Sequence, residues 1–222
     1  MPRPLRVNNG NEIYHCLNRG VGKQTIFHND ADYRLFEKIL QEVVDVTDMR
    51  ILAYSLMPNH FHLVLHPQND GDLSEFMKRL TVTHTQRYRF ATDTVGEGPV
   101  YQGRFKSFII QDDEHLFTVL RYVERNPLTA KLVDDPLAWK YGSVYRRYRG
   151  TDKEKQLLTS WLDKEPENYI EILTQPITPK EIERIKQSEK KGVPYGDDEY
   201  LLNVVEKYGL HSVLREKGRP KK

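Results

Sequence analysis

The stretch from Arg50 to His66 restricts the fold more than any other. Arg50–Met57 is an apolar, strand-like run, Pro58-Asn59 is a turn pair, and His60–His66 returns as a second strand, so the two pair most simply as a hairpin. A lone hairpin is marginal in water, and the remaining chain must supply further strands and helices to cover it. Glu12 to Arg19 alternates polar and apolar with strand period. Asn29-Asp30 then caps a helix whose stripe is Tyr33, Phe36, Ile39, Leu40, Val43 and Val44. The pattern predicts a second helix from Asp72 to about Ala91, a glycine-bearing loop from Gly96 to Gly103, and a strand from Arg104 to Ile110. Asp112-Asp113 then caps a helix running through Leu116, Leu120 and Val123 to Pro127. Strand, helix, strand, strand, helix, strand, helix implies an α+β fold, an antiparallel sheet with packed helices.

After about Gly150 the strand signals stop and charged helical sequence takes over, which places a boundary between a main domain, 1–150, and a helical C-terminal extension, 151–222. In the extension, Thr178-Pro179-x-Glu181 is a capping box with Gly192 as the stop, and Asp197 to Lys207 is a second helix ending at Gly209. Two helices about a short Gly-Pro turn fit a helix-turn-helix, and equally a plain helical hairpin. At 222 residues and 38% hydrophobic content the chain supports one real core with a smaller appendage. The single cysteine, Cys16, excludes an intrachain disulfide and a cysteine-based zinc cluster and fits a reducing compartment, with the cytoplasm as the default. No run approaches the roughly 18 apolar residues of a membrane span, and the first thirty residues lack the apolar core of a signal peptide, so a soluble protein that is not exported is expected.

On the strand from His60 to His66, alternation sends Phe61, Leu63 and Leu65 to one face and His60 and His62 to the other. Residues two apart on a strand lie about 6.6 Å apart, close enough for both imidazoles to reach one metal through bonds near 2.1 Å. Two exposed or hydrogen-bonded histidines fit the pattern too, and Val64 stands where a His-x-His-x-Asp hydrolase needs its acid. Further along, a helix puts Tyr122 and Asn126 four residues apart on one face, although Pro127 after Asn126 disfavours helical geometry there. On residue physics alone Tyr122 is one of 13 tyrosines. The net charge of +2 does not indicate a polyanion partner, but the charge is uneven. Lys78, Arg79, Arg87, Arg89, Arg104 and Lys106 face only Asp93 and Glu97, and the stretch from Trp139 to Gly150 carries Lys140, Arg146, Arg147 and Arg149 with no acid. Trp139, Tyr141, Tyr145 and Tyr148 in that second patch could stack on unpaired bases.

Leu56-Met57-Pro58-Asn59-His60-Phe61-His62-Leu63-Val64, then Tyr101-Gln102-Gly103-Arg104-Phe105-Lys106, then Arg121-Tyr122-Val123-Glu124-Arg125-Asn126-Pro127-Leu128 together closely resemble the single-tyrosine transposases of the HUH class. The opening Arg3-Pro4-Leu5-Arg6 and the long extension look most like the REP-associated branch, which acts on repetitive extragenic palindromes. The resemblance spans residues 1 to about 150 and implies a ferredoxin-like HUH nuclease fold. It also implies His60 and His62 as metal ligands, Tyr122 as nucleophile and Asn126 as a third ligand, where the insertion-sequence branch is similar but carries a glutamine. The implied cofactor is Mg2+ or Mn2+, and the implied partner is single-stranded DNA bearing hairpins. The REP-associated branch implies a monomer rather than the dimer of its insertion-sequence relatives.

The reaction so implied is cleavage and rejoining of DNA next to a palindrome through a 5′-phosphotyrosine, in a cytoplasmic, nucleoid-associated protein. The expected DNA contacts are Arg3, Arg6, Lys78, Arg79, Arg87, Arg104, Lys106, Arg146, Arg147 and Arg149. The sequence does not identify the group that activates Tyr122, for which His66, His84 and His115 are candidates. A nuclease that uses activated water and a hairpin-binding regulator without catalysis are the competing readings. The terminal Lys217-Gly218-Arg219-Pro220-Lys221-Lys222 is similar to an A·T minor-groove motif and reads equally as a solubilising tail.

Overall fold

A computed structural model describes residues 7–161 and 165–214; Arg3, Arg6 and the Lys217–Lys222 tail lie outside the described residues. The strands are β1 (Ile13–Arg19), β2 (Arg50–Met57), β3 (His60–His66) and β4 (Lys106–Ile110). The helices are α1 (Asp30–Thr47), α2 (Asp72–Ala91), α3 (Glu114–Glu124), α4 (Asn126–Thr129), α5 (Ser143–Arg149), α6 (Asp152–Lys155), α7 (Tyr169–Thr174), α8 (Pro179–Lys191), α9 (Asp198–Tyr208) and α10 (His211–Leu214). The strands form one sheet in the order β2-β3-β1-β4, with antiparallel pairing throughout.

The sheet separates two cores. Phe61, Leu63 and Leu65 of β3 and Tyr14 and Cys16 of β1 face α1 and α2, whose Phe36, Ile39, Leu40, Phe76 and Leu80 are fully buried. Each such side chain contributes about 1.5–3 kcal/mol relative to leaving it in water. The Asn29 and Asp32 side chains close a capping box that starts α1 and contributes about 1 kcal/mol more. On the opposite face Val64 and Phe108 pack under Leu116, Val119, Leu120 and Val123 of α3, and Ile185 of α8 joins them.

The segment beyond Gly150 is built into both cores. Leu157, Val204, Val205, Leu210 and Val213 complete the first, and Ile185 and Tyr195 the second. Backbone pairing also closes both sheet edges. Tyr195 bridges Ile110 beside β4 (Tyr195 N to Ile109 O, 2.8 Å; Gln111 N to Tyr195 O, 2.9 Å), and Gly142 bridges Ser55 beside β2. The turn between α8 and α9 therefore serves as an edge cover. α3 ends sooner than the apolar pattern predicts, at Glu124, and α4 restarts with Asn126-Pro127, where a missing N–H costs nothing. β4 begins at Lys106, two residues later than predicted.

Candidate active site

His60 and His62 lie on the sheet face beneath α3 and α8, their rings 4.9 Å apart between centroids. β1 brings two further residues to that face. Arg19 stands opposite His60, and Leu17 opposite His62, so His15 lies one step along the same side. His15 is fully buried, stacks on His62 at 5.0 Å, and its Nε2 makes a 2.8 Å hydrogen bond with His62 Nδ1. His60 Nδ1 is 2.6 Å from Asn59 Oδ1. α3 sets the Tyr122 ring edge-on to His62 at 6.0 Å and to His15 at 6.3 Å.

Glu189 enters from the last turn of α8. It accepts a hydrogen bond from the Tyr122 phenol. Its Oε1 lies 3.8 Å from His62 Nδ1 and is buried without a hydrogen-bond partner.

Burial and charge set the protonation of these groups. Burial lowers His15 to about 3, and burial together with Arg19 lowers His60 to about 4. His62 is driven well below its ordinary value by burial, then by His15, His60 and Arg19. All three rings are thus neutral near pH 7, the form that binds a metal. Burial, the Glu189 charge and the hydrogen bond to Glu189 hold the Tyr122 phenol well above the usual phenol range, so it rests protonated. Burial also raises Glu189, against the opposing pull of Tyr122, Lys106 and Arg19.

Among the described residues, His15, His62 and Glu189 offer ligand atoms that all lie within 4.8 Å of one another and could hold a metal ion, and His60 is not among them. In each of His60 and His62 the Nδ1 is engaged by a neighbour, which orients the ring and leaves Nε2 as the nitrogen available to a ligand. The orphaned carboxylate oxygen of Glu189 is the kind of group a cation satisfies. Asn126 donates its side-chain N–H groups to Tyr122 O at 2.9 Å and Val123 O at 3.4 Å, so only its Oδ1 remains as a donor to metal. Two imidazoles with oxygen donors suit manganese comfortably and magnesium less so.

The family model for IS200-like transposases matches residues 10–126, more than half of the chain and every residue of the His60, His62, Tyr122, Asn126 set. The chain belongs to the IS200-like transposase family. A Haemophilus influenzae protein assigned to the REP-associated tyrosine transposases is 25% identical over 126 residues, spanning 50% of this chain and 68% of that one. A solved REP-associated tyrosine transposase bound to a REP hairpin superposes with a TM-score of 0.56 at 14% identity, covering 80% of this chain and 96% of that one, which supports the fold.

In this transposase the remaining site expectations fall into separate places. His84 is buried in the α1–α2 core, bonded to the Tyr101 hydroxyl at 2.7 Å. His115 sits at the start of α3 on Asp113, and His66 is at the far end of β3. Lys78, Arg104, Lys106 and Arg149 are exposed. Arg79 pairs with Glu75 at 2.7 Å and Arg87 with Glu42 at 2.7 Å, both at the surface. Arg146 and Arg147 turn inward instead. Arg146 holds Glu37 and the Tyr54 hydroxyl, and Arg147 holds the fully buried Glu124 while lying over Trp161. Trp139 and Tyr141 also pack inward: the indole N–H donates to Leu56 O, and Tyr141 stacks on Tyr33 at 3.8 Å. Tyr148 bonds Glu165.

Sequence reasoning missed His15, Arg19 and Glu189. For Glu189 a signal was present: it follows Ile185 by four residues, so an acid shares the helix stripe that holds a buried apolar residue.

Proposed function

We propose that this family member is a strand transferase that cuts and rejoins single-stranded DNA beside a hairpin through a covalent bond to Tyr122. The observation that carries the reading is the placement of the Tyr122 ring against His62, itself paired with His60, with the Glu189 carboxylate close enough to act on the phenol. A bound divalent cation, Mn2+ or Mg2+ on His60, His62 and the Asn126 amide oxygen, supplies charge neutralisation at the scissile phosphate. Tyr122 Oη attacks phosphorus while its proton passes to Glu189, and the P–O3′ bond breaks with its electron pair leaving on O3′, which takes a proton from solvent. The products are a 5′-phosphotyrosine and a 3′-OH, and reversal restores the phosphodiester without an external energy source.

The relatives' names point to palindromic REP hairpins as the class of DNA. The Tyr122 ring lies edge-on to histidines of its own chain, which supports a monomer. Lys78, Arg104 and Lys106, all exposed, would contact the backbone of the flanking strand.

The test is cleavage of a hairpin with single-stranded flanks, with Mn2+ and with EDTA, by the natural protein and by His62→Ala. Cutting by the natural protein in Mn2+ alone, and none by the variant, is expected. Cutting that ignores EDTA removes the metal assignment, and tight binding without any cleavage favours a regulator.

A further inference from the structure

Beside the histidines, between the end of β1, the start of β4 and the last turn of α8, lies a cavity of about 330 Å3. Arg19, Gln102, Arg104 and Lys106 line it, with Leu17 and Asn18 on its β1 wall, and the Glu189 carboxylate contributes the one acid. Three cations against one carboxylate make it an anion site. Arg19 is the central group. Its Nε is buried and has no hydrogen-bond partner, so a fork of donors is held ready with one of them unsatisfied.

The walls are built rather than incidental. Gln102 N donates to Arg19 O at 2.8 Å, the Asn18 amide donates to Gly103 O at 3.2 Å, and Asn18 Oδ1 accepts from Arg19 N at 2.9 Å. These bonds tie the loop that carries Arg104 to the strand that carries Arg19. Gly103 sits at φ +139°, a backbone region that other residues rarely enter, and this shapes the loop.

Register places the cavity against the chemistry. Arg19 is opposite His60, and Lys106 is opposite Leu17, whose other neighbour is His62. The Arg19 charge reaches four groups of the site, acting on His60, His62, Tyr122 and Glu189.

We propose that this cavity is a nucleotide subsite in which Arg19 clamps the scissile phosphodiester while Arg104 and Lys106 hold the adjoining phosphate of the unpaired strand. The inference rests on the strand-transfer reading and names the residues that seat its substrate. Its volume is at the small end of ligand sites, which suits one unpaired nucleotide.

The test separates seating from chemistry. In a Tyr122→Phe background, affinity is measured for a hairpin oligonucleotide in which a neutral methylphosphonate is moved one linkage at a time through the single-stranded flank. One or two adjacent linkages should weaken binding about 10-fold or more when neutralised, the scale of a lost charged hydrogen bond. Arg19→Gln should erase that penalty, Arg19→Lys should keep part of it, and Lys106→Gln should lower the penalty at the neighbouring linkage. Thermal denaturation establishes that each variant is folded, and Lys106→Gln, on an exposed side chain, decides the matter if Arg19→Gln is not. Equal sensitivity at all linkages, or a penalty unchanged by Arg19→Gln and Lys106→Gln, overturns the subsite. Failure of the strand-transfer reading shows separately, as no adduct with the natural protein despite the same linkage pattern in binding.

Discussion

His15 and His62 share one hydrogen bond, and which ring donates decides whether the site can take a metal. If His62 donates from Nδ1, its Nε2 keeps a lone pair for the ion; if His15 donates, the His62 proton sits on Nε2 and blocks it. His15→Ala should therefore weaken Mn2+ binding to the DNA-free protein by about 10–100-fold, as loss of an outer-shell partner does, and His15→Gln should recover part of it. Calorimetric titration checks this, and unchanged Mn2+ affinity contradicts the role. His15 also makes stability depend on pH. Its folded value, about 3, lies below the ordinary 6.5, so between those values the unfolded chain takes up a proton that the folded chain refuses. Stability should hold above about pH 6.5 and fall as the pH drops toward 4, with His60 adding to the loss. Urea melts at pH 7 and pH 5 test the sign; equal stability at both contradicts it.

α5 and α8 show what local sequence conveys about an element and what it does not. The caps of α8 were legible because Thr178, Glu181 and Gly192 act within one turn of the residues they terminate. The direction faced by α5 was not. Arg146 and Arg147 read as part of a free basic patch because Glu124, Glu37 and Glu165, which neutralise them, lie on other elements. Removing Arg147 leaves Glu124 buried with Ser143 and Tyr169 as its remaining partners. Arg147→Ala should cost about 3–5 kcal/mol, the scale of a broken buried pair, and leave DNA affinity per folded molecule unchanged. Ile185→Ala should cost about 2–5 kcal/mol and loosen the helix that delivers Glu189. Guanidinium denaturation measures both; a loss of under about 1 kcal/mol for Ile185→Ala would mean that α8 is not anchored there.

Across the whole molecule, the antiparallel α+β class and the shared face of His60 and His62 were legible, because a two-residue period and a helical stripe each encode a face directly, whereas Tyr122 stood out only through the resemblance of its motif and the sheet order and second core did not stand out at all. The closed sheet edges, the union of the 151–222 segment with both cores, and the arrival of Glu189 and Arg19 at the site were not legible, since they arise from long-range pairing that leaves no local pattern. The net charge of +2 conceals exposed cations beside the site, so affinity for a hairpin with single-stranded flanks should fall steeply with salt, by a slope of about −0.7 per phosphate neutralised on the unpaired strand. A flat salt response, or equal affinity for blunt duplex, contradicts that account. If Tyr122 is the nucleophile, its Oη becomes bonded to DNA. Incubation of the natural protein with a 3′-labelled hairpin substrate and Mn2+, followed by denaturing electrophoresis, should show a labelled protein band, because the label stays on the 5′-phosphotyrosine side. Tyr122→Phe should bind the hairpin with little change and give no band. Cleavage by Tyr122→Phe, or cleavage by the natural protein with no covalent species, would assign the attack to water or another residue and contradict the account.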